Sequence, residues 1–170
     1  MVARLQVAGL SDAGMVRSIN EDRYYFRYVL ASDQEPIGLF AVADGLGGYL
    51  AGEVASHWAV ETIKRELAKC FHPADDASTR HVRPRELWAA PEATSETVNM
   101  RMVNAETVAL LSYAFKKANE VLLRYAKNKP EEAGGMGSTL VVVIVQDGLA
   151  TIGNVGDSRA YLWRSGQLRQ

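Results

Sequence analysis

Apolar positions along this chain switch between a period of two and a period of three to four, and each switch marks a predicted element. Tyr24 to Leu30 is aromatic and β-branched. Ile37 to Asp44 is a continuous apolar run ending in glycines, and Arg4 to Gly9 is a short apolar stretch, so three strands are predicted. Ser11 to Arg23 is polar and predicts a loop. Ala31 to Pro36 carries the Ser, Asp and Pro of a turn, making the second and third strands a predicted hairpin. From Ala51 to Cys70, the residues Ala55, Trp58, Ala59, Ile63 and Leu67 recur on one helical face. A second helix presents Val108, Leu111, Phe115, Ala118, Leu122 and Tyr125 and closes at Asn128 and Pro130.

Beyond the glycines at 134, 135 and 137, Thr139 to Val145 reads as a buried strand. Asp147-Gly148 is a two-residue hairpin signal before Leu149 to Val155. Ala160 to Trp163 is a further short strand, turned by Arg164-Ser165-Gly166. Residues 71–103 hold three prolines, mixed charge and weak periodicity, which predicts a long surface loop.

Composition adds limits rather than a function. The 170 residues suit a single domain, 1–170, and a net charge of -1 spread along the chain offers no basic field for nucleic acid or anionic membrane. A lone cysteine, Cys70, excludes an internal disulfide. The N-terminal residues lack a long apolar run, so a cytoplasmic setting is expected.

The candidate chemistry lies in carboxylates at strand ends. A period of two places Phe40, Val42 and Asp44 on one face, reading as a core-facing row that ends in a carboxylate. The glycines after Asp44 remove side chains where a ligand would approach, which invites a cation; a tight turn with Asp44 as helix cap is the plainer alternative. The loop before the second strand supplies Arg17, Asn20, Glu21 and Asp22, and Asp157 follows another apolar strand beside Gly156. Three oxygen-rich loops with no useful Cys or His cluster suit Mg²⁺ or Mn²⁺ better than zinc. His57, His72 and His81 lack helical zinc spacing. Ser158 lacks an activating Asp-x-x-His, and the glycines match neither a phosphate loop nor a dinucleotide fingerprint.

Taken in order, GMVRSINEDR from Gly14 to Arg23, VADGLGGYLAGE from Val42 to Glu53, GMGSTLV from Gly135 to Val141 and GNVGDSRAYL from Gly153 to Leu162 resemble the PPM family of protein phosphatases. This family is also called type 2C, and the likeness is strongest to its bacterial members. The resemblance implies an α+β fold, a four-layer α-β-β-α sandwich of two antiparallel sheets flanked by helices. It also implies an enzyme that hydrolyses phosphoserine and phosphothreonine in proteins, the products of a Ser/Thr kinase, through water activated by two Mn²⁺ or Mg²⁺ ions. Matched position by position, Asp44 resembles the aspartate that bridges the metals and Gly45 lends its carbonyl to one of them. Glu21 resembles a ligand of the second, with Asp22 completing the acidic pair. Arg17 resembles the arginine that grips phosphate with a bidentate fork. Asp157 resembles the aspartate of a third, weaker metal in some members.

Two departures qualify this likeness. Where some members carry a histidine two residues after the bridging aspartate, this chain has Leu46. The family continues to strands bearing two more metal aspartates that are absent from these 170 residues, so the domain reads as incomplete at its C-terminal end and the isolated chain as weakly active or inactive. A second function class is a non-catalytic module of the same fold that binds a phosphoprotein or regulatory partner through the surface around Asp44 and Arg17.

Overall fold

A computed structural model of the chain describes residues 5–29, 37–47, 51–68, 105–146 and 148–170. The strands β1 (Asp22–Val29) and β2 (Ile37–Leu46) lead into the helix α1 (Ala51–Leu67). The long helix α2 (Ala105–Asn128) and the short α3 (Pro130–Ala133) follow. Then come β3 (Gly137–Ser138), β4 (Leu140–Gln146), β5 (Leu149–Val155), β6 (Leu162–Arg164) and β7 (Gln167–Arg169). All pairings are antiparallel. The main sheet runs β1-β2-β4-β5 with β3 on the end of β2, and β6 and β7 form a separate two-stranded sheet. The α+β class with two antiparallel sheets and helices is therefore as expected. Cys70, His72, His81 and the predicted loop at 71–103 lie outside the described residues.

Small residues let helix and sheet close together. Ala41 and Ala43 of β2 and Ala55 and Ala59 of α1 are all buried, and Leu39, Ile63, Leu67, Val142 and Ile144 fill the space around them. Branched side chains on β4 suit a strand buried against this layer. Both tight connections use left-handed backbone: Gly148 (φ 71°) joins β4 to β5, and Ser165 (φ 52°) with Gly166 (φ 77°) joins β6 to β7. Pro130 begins α3, where its missing N–H has no cost.

Four expectations need correction. Leu5 to Gly9 forms no strand; residues from Val7 to Ser11 instead border a groove of about 280 Å³ with Asp22 to Phe26 and Phe40 to Val42. Gly9 lies against the Tyr24 ring, where a Cβ would come within 2.5 Å of it. The row Phe40, Val42 and Asp44 does share a face, but the face packed on the helices is Leu39, Ala41 and Ala43, leaving Val42 and Asp44 exposed. A run apolar on both faces cannot say which one the helices cover. On α2 the predicted face holds at Leu111, Ala118, Phe115 and Leu122, which are buried or pack against the core, but Val108 is exposed and Thr107 and Ala114 join the buried stripe instead. Thr139 is a one-residue break between β3 and β4 rather than part of a strand.

The core supports a paired test. Ile63 is fully buried, so Ile63→Ala is expected to cost about 2–5 kcal/mol in urea denaturation. Its neighbour Thr62 buries a hydroxyl that has no partner among the described residues. Thr62→Val keeps the shape and removes that group, and should raise stability by about 1 kcal/mol or more. A loss of stability in Thr62→Val would show that its hydroxyl is satisfied.

Candidate metal and phosphate site

The site assembles where β2 ends and α1 begins. The loop from Asp12 to Glu21 is shaped by its own polar side chains. Gly14, at φ 71°, donates its amide to Asp12 Oδ1 at 2.7 Å. Asn20 donates from its side chain to Ser11 Oγ at 2.7 Å and accepts from the Asp22 amide at 2.9 Å. Arg23 then ties the loop to the helix: it donates to the carbonyls of Asn20 and Asp22 and pairs with Glu53, in the first turn of α1, at 2.5 Å.

Cross-strand register brings the acids together. Asp22 of β1 stands directly opposite Asp44 of β2. The carboxyl of Asp44 is held above the usual aspartate range, first by partial desolvation, then by the charge of Asp22 and a hydrogen bond between the two carboxyls. Asp157 pushes in the same direction and Arg17 in the opposite one. Arg17, Asp22, Asp44 and Asp157 thus share one electrostatic neighbourhood.

Glu21 makes contacts of its own. One of its oxygens pairs with Arg17, whose side chain is 61% exposed while that of Glu21 is 14% exposed. The other oxygen faces Gly52. A Cβ on Gly52 would lie 2.4 Å from Glu21 Oε1 and 2.9 Å from the Gly45 carbonyl oxygen, so these two oxygens converge on space that only glycine leaves free. Gly45 is equally constrained, because a Cβ there would fall 1.8 Å from the Gly52 carbonyl oxygen. Its amide donates to the Glu21 carbonyl at 3.2 Å.

The expected site residues are therefore placed as two adjacent groups: Asp22, Asp44 and Asp157 with Arg17 in range, and Glu21 with Gly45 across Gly52. Among the described residues, no three His, Cys, Asp or Glu side chains close around a common point. The donors present nevertheless match a hard divalent cation in kind. They are all oxygens, the Asp44 carboxyl resists ionising beside Asp22, and a glycine-lined gap separates Glu21 from the Gly45 carbonyl. His57 packs edge-on against Trp58 at 5.5 Å.

Sequence reasoning passed over the residues that brace the acids. Thr139 accepts from the Asp44 amide at 3.0 Å and donates its own amide to the Asp44 carbonyl at 2.8 Å. Ser138 Oγ donates to the same carbonyl at 3.1 Å. These positions, with Gly52 and Glu53, fall inside the motif segments, but hydroxyls and glycines name no chemistry until the backbone around them is known.

The family model for protein phosphatase 2C matches residues 16–170. The chain belongs to this family. The serine/threonine phosphatase stp of Listeria welshimeri is 31% identical over 160 residues, covering 94% of this chain and 50% of that relative. The crystal structure of the catalytic domain of PstP, a serine/threonine protein phosphatase, in complex with two manganese ions matches at TM-score 0.61. It shares 28% identity and covers 94% of this chain and 51% of that one. The phosphatase Stp1 of Staphylococcus aureus matches at TM-score 0.61 and 29% identity, covering 100% of this chain and 56% of that one. The chain thus spans about half the length of the Listeria phosphatase and of these structural neighbours. Among the described residues, no helix is long and apolar enough to cross a membrane.

A raised Asp44 pKa has a definite consequence for stability. Below the ordinary aspartate pKa the group is protonated in both folded and unfolded chains and contributes nothing. As pH rises through that value and past the raised folded one, the unfolded chain loses its proton first and the folded state is penalised. In chelator, Asp44→Asn is expected to match the parent at the acid end. At neutral pH it should be more stable by roughly 0.2–1 kcal/mol, the scale of a like-charge pair directly opposite in a sheet. Urea denaturation across pH checks this, and a parent chain more stable than Asp44→Asn at neutral pH would contradict it.

Proposed function

We propose that this chain carries the phosphate-gripping and metal-binding half of a protein serine/threonine phosphatase, acting on phosphoserine and phosphothreonine left by a Ser/Thr kinase. The observation that carries the reading is the Asp22–Asp44 pair at a strand end with Arg17 in electrostatic range, in a member of the protein phosphatase 2C family. Relatives named as serine/threonine phosphatases and a neighbour solved with two manganese ions support it. In this reading Asp44 and Asp22 take Mn²⁺ or Mg²⁺ together with the Gly45 carbonyl and Glu21, while Asp157 serves a third ion. A cytoplasmic setting, with neither nucleic acid nor membrane as partner, belongs to the same proposal.

When bound, such ions neutralise charge on phosphoryl oxygens and make water acidic enough to attack phosphorus near neutral pH. The rest falls to the chain. Arg17 is exposed enough to meet a phosphate dianion, and its planar fork binds two oxygens at once. Glu21, paired with Arg17, holds that fork at the loop until a phosphate competes for it. Asp44 and Asp22 concentrate negative charge within electrostatic range of Arg17, so the site draws a cation and an anion to adjoining places. Leu46 brings no proton donor to the position where some members have histidine, so the leaving oxygen takes its proton from water.

Millimolar Mn²⁺ should raise the melting temperature of the chain by several degrees, because a ligand at 100 times its Kd stabilises by about 2.7 kcal/mol. Asp44→Asn should abolish the rise. Arg17→Ala should leave it intact while weakening competition by inorganic phosphate by at least tenfold, the scale of about 1.5–3 kcal/mol for hydrogen bonds to charged groups. Hydrolysis of a small aryl phosphate by the 170-residue chain alone should be slow. A chain whose melting is indifferent to Mn²⁺ would remove the metal reading, and rapid Mn²⁺-dependent turnover would overturn the expectation of weak activity.

A further inference from the structure

Thr139 stands where the two acidic loops meet. It occupies the gap between β3 and β4, and its hydroxyl and amide engage both polar groups of the Asp44 backbone, at 3.0 and 2.8 Å. The same hydroxyl lies 2.6 Å from Ser158 Oγ, the residue next to Asp157. Either hydroxyl can donate in that contact. Thr139 Oγ1 already accepts from the Asp44 amide, so its own proton is free for Ser158, or Ser158 fills its second lone pair.

The approach of the Asp157 loop is itself built. Gly156 has φ 97°, and a Cβ there would fall 2.8 Å from Thr139 Cγ2 and 3.2 Å from Thr139 Cα. Only glycine lets this loop turn in the left-handed region and come down onto Thr139. Strand pairing alone requires none of this, since the ladder from Leu140↔Val155 onward is held by backbone bonds. The threonine and serine hydroxyls add a connection that runs from the Asp44 amide to the residue beside Asp157, on a different loop.

We infer that Thr139 is a positioning residue of the site: through its hydroxyl it holds the Asp44 backbone and the Gly156–Arg159 loop at a fixed spacing, so that Asp44 and Asp157 serve as one unit. The inference rests on the proposed metal reading for its functional part and on hydrogen bonds alone for its structural part.

Three substitutions in the 170-residue chain separate these parts. Thr139→Val keeps the shape and removes the hydroxyl, Thr139→Ser keeps the hydroxyl and removes the methyl, and Ser158→Ala cuts the link on the other side. In metal-free protein, amide exchange at Asp44 should speed up at least tenfold in Thr139→Val, less in Ser158→Ala, and little in Thr139→Ser. The Mn²⁺ concentration at half-maximal thermal stabilisation should rise about tenfold or more in Thr139→Val, as expected for loss of a group that orients a ligand. It should stay within about twofold of the parent in Thr139→Ser. The double variant Thr139→Val with Ser158→Ala should be no worse than Thr139→Val, because the Ser158 link runs through the hydroxyl that Thr139→Val already removes. Unchanged Asp44 exchange in Thr139→Val, or additive effects in the double variant, would overturn the inference. Faster Asp44 exchange in Thr139→Val, with a parent chain that ignores Mn²⁺, would instead uphold the brace and defeat the metal reading. If Thr139→Val does not fold, the comparison of Ser158→Ala with Thr139→Ser decides on the same readouts.

Discussion

Everything at this site depends on two backbones touching. The end of β2 and the start of α1 meet at Gly45 and Gly52, so closely that a single Cβ on Gly45 would sit 1.8 Å from the opposing carbonyl oxygen. That contact sets the exit angle of the chain after Asp44, points the Gly45 carbonyl toward Gly52, and leaves the gap that Glu21 Oε1 faces. Arg23 reinforces it from the side by clamping Glu53 to the loop before β1. Helix, strand and loop are thus locked at one point, and the acidic side chains inherit their positions from it.

Holding like charges side by side needs a rigid frame, and the magnitudes favour the frame. Opposing carboxylates in a sheet cost roughly 0.2–1 kcal/mol. The backbone of Asp44 and Gly45 is held by three hydrogen bonds, from Thr139 and to Thr139 and Glu21, each worth about 0.5–1.5 kcal/mol, while Ser138 Oγ shares its one proton between the Asp44 and Thr139 carbonyls. The frame wins, so the acids stay together, and partial desolvation followed by their repulsion appears as the raised pKa of Asp44 rather than as a displaced strand. Arg17 relieves part of it from an exposed loop, where its guanidinium also remains accessible.

How much of this was legible in the sequence follows from what each pattern encodes. Ala55, Ala59, Ile63 and Leu67 fall on the buried face of α1 as their spacing implies, because a polar face opposes them. The β1–β2 hairpin was equally plain, since a polar turn separates two apolar runs. The buried side of β2 was not, because Phe40 and Val42 are as apolar as Leu39 and Ala41, and only the helices decide between them. Leu5 to Gly9 has a strand's composition but does not pair, and its last residue, Gly9, lies against the Tyr24 ring. At the site, carboxylates and an arginine announce themselves by charge. Gly52, Thr139 and Ser158 act through fit and backbone contact, which no single position in a sequence reveals.

The alignment of Asp22 with Asp44 also makes the β1–β2 hairpin a ruler. Side chains alternate faces along a strand, so a pairing offset of one residue would bring Ala43 opposite Asp22 and turn one acid toward the helices. Any change in the length of either strand is therefore read in steps of two, and the turn between them can vary freely only if it preserves that count. The Asp22–Asp44 end of the hairpin works as a gauge for the distance between charges.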